Sequence, residues 1–137
     1  MTITPSRIVV LYVIATAIFL ACDLVWLGLV ARGFYQRHLG YLMRDPINWS
    51  AALVFYLLFV VGLLIFAIKP ALDAQNPLRA LLYGALFGFF TYATYDLTNL
   101  ATVRDWPLIV TVADLSWGVV LCSIVACATY GVAVRIW

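Results

Sequence analysis

The sequence predicts an all-α polytopic membrane protein, with four transmembrane helices in a bundle and a short interfacial segment after the first. Three observations lead there. The 137 residues are 66% hydrophobic and only 10% charged, whereas a soluble domain carries about 25% charged residues. The apolar residues gather into four runs, each close to or above the ~20 residues that cross a bilayer as a helix. The connections between the runs are short and polar. The runs themselves are too long and uniform for barrel strands, so their backbone hydrogen bonds can close only within helices.

The four spans are expected at about residues 7–33, 49–68, 78–103 and 108–135, forming a single domain over 1–137. Met1–Ser6 is a polar start, and Arg7 opens an apolar run interrupted only by Asp23. Phe19-Leu20-Ala21-Cys22 has a faint likeness to a lipoprotein cleavage box, but the apolar run continues past it to Val30, as in an uncleaved span. Phe34–Asn48 mixes aromatic, basic and apolar residues. That pattern suits a segment at the headgroup level, with a short helix ending before Pro46. The only histidine, His38, lies there and reads as an exposed interfacial residue.

Trp49–Ile68 is the second span, and Lys69-Pro70 is expected to stop it. Asn76-Pro77 suits a helix start, with Asn76 as the cap and Pro77 at the first helical position. The third span follows. Arg104–Pro107 is so short a loop that the third and fourth helices must be antiparallel neighbours. Arg7, Lys69, Arg79 and Arg135 fall on one side, and Arg32, Arg37, Arg44 and Arg104 on the other. The positive-inside rule therefore gives no orientation, though four spans put both termini on the same side.

Charge and cysteine usage narrow the function. A net charge of +2 with no basic run gives no reason to expect nucleic acid. Cys22, Cys122 and Cys127 lie in apolar runs without C-x-x-C spacing, so they read as small buried residues rather than a disulfide framework or zinc site. There is no glutamate. Three of the six aspartates, Asp23, Asp96 and Asp114, lie inside spans. An ionisable residue there costs roughly 2.5–3.5 kcal/mol at mid-helix on the insertion scale, and marks a functional-site candidate.

These aspartates share a depth. Measured from the face carrying the first and third loops, Asp23, Tyr56, Asp96 and Asp114 each lie about 10–15 Å in, at about 1.5 Å rise per residue. Asp23-Leu24-Val25-Trp26 and Asp114-Leu115-Ser116-Trp117 each place a tryptophan on the same helix face as the carboxylate. Their opposite directions through the membrane leave an inverted repeat, coincidence or parallel function as readings. In the third span Gly84, Gly88, Tyr92 and Asp96 form one i, i+4 row, with Asn99 next along it. The glycines permit close helix approach, and the face turns polar beyond them. No cation lies at this level. Either the carboxyls are protonated, or they meet a cation, water or a polar ligand. Hydrogen bonding between helices is the plain structural alternative.

The oxygen-rich residues would suit magnesium, calcium or manganese better than zinc, but no ligand motif supports a metal site. Ser116 and Ser123 lie in a span and His38 in a loop, so a Ser–His nucleophile is poorly supported. Acid–base chemistry on a lipid or isoprenoid, binding of such a molecule without reaction, and proton-coupled transport all fit the same residues.

The segments Asp23–Gly28, Phe34-Tyr35, Phe55-Tyr56, Tyr92–Asn99 and Asp114–Gly118 together resemble a bacterial membrane-protein family known as domain of unknown function 2177. The likeness covers almost the whole chain, and Tyr95–Asn99 is its most specific part. It implies a four-span bacterial inner-membrane protein with no assigned catalytic residues. Members are often encoded beside lipid-modifying enzymes such as cyclopropane fatty acid synthases, which implies lipid-related work.

The combined expectation is an acidic and aromatic intramembrane pocket that binds a lipid or other hydrophobic small molecule with a polar head. Modification of that molecule, and hence enzyme activity, stays open, and the cofactor is unknown. Asp96 is expected as the central anchor, with Asp23 and Asp114 beside it. Trp26, Tyr56, Tyr92, Tyr95, Asn99 and Trp117 would shape the site. The alternatives are a proton- or cation-coupled small transporter acting as an oligomer, and an accessory subunit of a larger membrane complex. Expected partners are membrane lipids, a second copy, or that larger complex.

Overall fold

A computed structural model describes residues 3–137; Met1 and Thr2, the beginning of the polar start, lie outside the described residues. The described chain is helical throughout its ordered elements, with no strand among them. Helix α1 (Pro5–Val25) begins on Thr4, whose side chain accepts from the Arg7 N–H. It passes into a wide π turn over Trp26–Val30. A short helix, α2 (Arg32–Leu39), and a 3₁₀ turn at Gly40–Leu42 follow. Helix α3 (Trp49–Leu63) is capped by Asn48 and runs through a second π turn, Leu64–Ile68, into α4 (Lys69–Asp73). Helices α5 (Pro77–Thr102) and α6 (Leu108–Ile136) complete the bundle.

Three helical stretches, Pro5–Val30, Trp49–Asp73 and Leu108–Ile136, are long and apolar enough to cross a membrane. Helix α5 matches them in length at 26 residues; its threonines, tyrosines, Asp96 and Asn99 dilute its apolar character. The outward faces carry Leu, Val, Ile and Phe side chains, as expected where the surrounding solvent is hydrocarbon.

Two boundaries depart from the sequence pattern. Helix continues through Lys69-Pro70 to Asp73 instead of stopping at Ile68. Proline lacks an N–H and crowds the carbonyl one turn earlier; the wide turn directly before Pro70, where the Lys69 N–H reaches back to the Leu64 carbonyl, relieves both constraints. The first long helix ends at Val30 rather than residue 33, because the Ala31 N–H bonds the Trp26 carbonyl at 2.7 Å and closes the π turn. Helix α2 then starts at Arg32 and ends at Leu39, well before Pro46.

The tightest packing joins α5 to α6. A β-carbon at Gly84 would stand 2.6 Å from the Cys122 carbonyl oxygen, and one at Gly88 only 2.0 Å from that of Gly118. Gly118 is equally constrained from the other side, where its own β-carbon would meet the Tyr92 ring at 2.4 Å. Asn76 caps α5 as its pairing with Pro77 predicts, its side-chain oxygen accepting from the N–H groups of Leu78 at 2.9 Å and Arg79 at 3.4 Å. Away from this seam, Leu11, Ala15 and Phe19 of α1 join Val60, Leu63, Leu121 and Val125 in one apolar core. The lower part of the α3–α4 rod packs on α5, while the upper half of α3 diverges from it. That divergence opens the site described next.

Candidate functional site

The polar residues of α1, α2, α3 and α6 meet in one hydrogen-bonded layer. Asp23, on α1, is buried and accepts two bonds: from the Tyr56 hydroxyl to Oδ2 at 2.8 Å, and from Trp117 Nε1 to Oδ1 at 3.3 Å. Asp114, on α6, accepts a hydrogen bond from the Tyr35 hydroxyl at Oδ1. That hydroxyl in turn accepts from Trp26 Nε1 at 3.1 Å. The two tryptophans stack with ring centroids 4.5 Å apart and planes within 7°.

The two Asp-Leu-x-Trp segments thus exchange partners. The indole of the α6 segment serves the α1 carboxylate, and the indole of the α1 segment serves the α6 carboxylate through Tyr35. Sequence spacing puts each tryptophan beside its own aspartate; the structure sends each toward the other helix. The π turn begins at Trp26, where the regular 3.6-residue advance is interrupted, and such turns recur at functional sites.

Asp96 is fully buried, no N–H or hydroxyl donor reaches its oxygens, and the Asp114 carboxyl stands within hydrogen-bonding reach of it. Its nearest charged neighbour is Asp114 across the glycine seam. None of Asp23, Asp96 and Asp114 has an ion-pair partner among the described residues. Lys69 and Asp73 form an ion pair on an exposed surface.

Two cavities adjoin this layer. One, of about 460 Å³, is walled by Trp26, Tyr35, Tyr92, Tyr95 and Trp117, with Asp23 and Asp114 in its lining and Arg32 and Gln36 of α2 at its edge. The other, of about 640 Å³, lies between α3 and α5 against Phe55, Phe59, Thr91 and Thr94. Tyr92, Tyr95 and Asp114 line both, so a polar aromatic chamber continues into an apolar cleft.

Of the residues picked out by sequence, Asp23, Trp26, Tyr92, Tyr95, Asp114 and Trp117 face the cavities. Tyr56 supports Asp23 from behind. Asp96, the expected anchor, and Asn99 line neither cavity. Tyr95 is largely exposed and meets the Trp106 ring edge-on at 5.8 Å.

Sequence reasoning about the site missed Tyr35, Arg32, Phe55 and Phe59. Tyr35 and Phe55 fall within the family-like segments, which was the available signal. Burial, and then the bond to Asp114, push the Tyr35 phenol above its ordinary value.

The chemistry is correspondingly narrow. His38 Nδ1 pairs with the Phe34 carbonyl at 2.9 Å, and Ser116 and Ser123 donate to carbonyls of their own helix, so no Ser–His nucleophile is assembled. No group of three or more His, Cys, Asp or Glu side chains converges as metal ligands among the described residues. What the layer offers is carboxylate acceptors, phenol and indole donors, and aromatic faces.

Fold and composition define an all-helical, multi-span membrane protein with a polar layer inside its bundle. The chain belongs to the family described as predicted membrane protein DUF2177, whose model matches residues 8–131. No curated protein and no solved structure matches it.

Proposed function

We propose that this protein binds an amphipathic small molecule, a membrane lipid or a lipid-like compound, with its head in the acidic aromatic chamber and its tail in the cleft between α3 and α5. The observation that carries this reading is the continuity of the two cavities through Tyr92, Tyr95 and Asp114. Ligand pockets are commonly apolar clefts of about 300–1,000 Å³ with a few placed polar groups. Here the apolar and polar portions are segregated, as the two ends of an amphiphile require. Divergence of α3 from α5 gives such a molecule a route from the bilayer.

The proposed location is the bacterial inner membrane, the setting in keeping with helical rather than barrel spans. The proposed topology has both termini on one side, a reading supported by Arg7 lying 4.9 Å over the Trp137 ring.

The test is native mass spectrometry of protein released gently from its own membrane, wild type beside Thr94→Trp. Thr94 is exposed in the cleft and bonds only its own helix, so the larger side chain fills the cleft without disturbing the core. Wild type should carry a discrete small-molecule adduct that Thr94→Trp loses. An empty wild type, or an adduct indifferent to the blocked cleft, would overturn the reading.

A further inference from the structure

The chamber is built for a positively charged head. Stacked Trp26 and Trp117 line it together with Tyr92 and Tyr95. Ring faces attract alkylammonium groups; each tryptophan spends one face on the other, and the rest of their surface lines the chamber beside the two tyrosines. Two carboxylates add to the same field. Asp114 is the better placed because it lines both cavities; Tyr35 and Asp96 each engage it, and a carboxylate has further lone pairs with which to accept another donor. Asp96, fully buried in the helix seam, stands within hydrogen-bonding reach of Asp114 and lines neither cavity.

At the chamber's edge the charge reverses. Arg32, at the start of α2, lines the cavity together with Gln36. A guanidinium there suits a phosphate oxygen. The chamber thus offers a carboxylate with aromatic rings and, separately, a guanidinium, and the apolar cleft continues from it past Tyr92, Tyr95 and Asp114. Building on the amphiphile reading above, we propose that the ligand is a zwitterionic phospholipid whose alkylammonium group sits among Trp26, Trp117 and Asp114 and whose phosphate meets Arg32.

Purified protein in mild detergent, stripped of bound lipid, is titrated with phosphatidylethanolamine, phosphatidylcholine or phosphatidylglycerol of identical acyl chains, and adducts are counted by native mass spectrometry. At least one of the two ammonium lipids should bind about tenfold or more tightly than phosphatidylglycerol, as expected when a single charge-assisted interaction forms in a desolvated site. Asp114→Asn should erase that preference. Arg32→Gln should weaken all three lipids together. Phosphatidylglycerol binding as well as or better than both ammonium lipids would overturn the headgroup assignment and leave the amphiphile reading standing. Binding of none of the three would overturn the headgroup assignment too, while the amphiphile reading stands or falls on the native adduct and its loss in Thr94→Trp. Headgroup preference is read on the wild-type protein, so the assignment stays falsifiable even if Asp114→Asn fails to fold.

Discussion

Gly88 is where one methyl group should do the most damage. Its β-carbon would lie 2.0 Å from the Gly118 carbonyl oxygen, 2.6 Å from the Gly118 carbonyl carbon and 3.0 Å from the Cys122 β-carbon. Non-bonded heavy atoms settle at roughly 3.5–4.0 Å, so α5 and α6 would have to separate by about 1.5 Å at this level. The obstruction is backbone, which has no rotamer to change. Overpacking costs about 1–3 kcal/mol, and this position belongs at the upper end. Alanine's better helix propensity returns about 1 kcal/mol, leaving Gly88→Ala about 2 kcal/mol less stable than wild type. Gly131, in α6, supplies the control: nothing stands within 4 Å of a β-carbon there. Gly131→Ala should be neutral or gain up to about 1 kcal/mol. Unfolding free energies in mixed micelles, by steric trapping or denaturing-detergent titration, should therefore differ by about 2–3 kcal/mol between two chemically identical substitutions. The seam also sets the spacing of Tyr92 and Asp96 against Gly118 and Asp114, so Gly88→Ala should lose bound ligand as well. Equal stability of the two variants would refute the close-approach argument.

Two further outcomes follow from the polar layer. Tyr56→Phe removes the donor to Asp23 Oδ2 without changing shape, and should cost about 1–2 kcal/mol in the same unfolding measurement; a neutral result would mean that water or another donor replaces the phenol. Burial and the Asp114 bond raise the Tyr35 phenol. Its folded value lies above the unfolded value of about 10, so its contribution to stability is complete below about pH 10 and is lost as pH climbs from there through the folded value. In an ultraviolet titration, the difference between wild type and Tyr35→Phe should show no phenolate at pH values where free tyrosine is already ionised; an ordinary titration would show that Tyr35 is not held as described.

Much of the fold is legible because its determinants are local. Asn76-Pro77 caps a helix by the chemistry of two adjacent residues, and the Gly84–Gly88 spacing announces a close neighbour without naming it. The loop at Arg104–Pro107 is short enough to identify that neighbour as α6. The π turns are a different matter. Pro70 is a stop signal in isolation, and only the widening at Leu64–Ile68 lets the helix pass it. Nothing in the run Trp26–Val30 distinguishes a wide turn from an ordinary one; the redirection of the chain into α2 does.

The site shows where such reading ends. Rise per residue fixes depth, and depth gathers Asp23, Tyr56 and Asp114 at the level where the hydrogen-bonded layer lies. Azimuth depends on which helices touch. Asp96 shares the glycine face of α5, and that face is pressed against α6, so the carboxyl is carried into the seam beside Asp114 rather than into the open chamber. Tyr35 travels the other way. It belongs to an interfacial helix that sequence places outside the bundle, yet the turn after Trp26 swings α2 back over the chamber mouth and delivers its phenol to Asp114. The chamber is therefore completed by a segment whose composition marks it as surface. Its charge pattern, acidic within and Arg32 at the edge, becomes visible only when α2 is seen to form one wall.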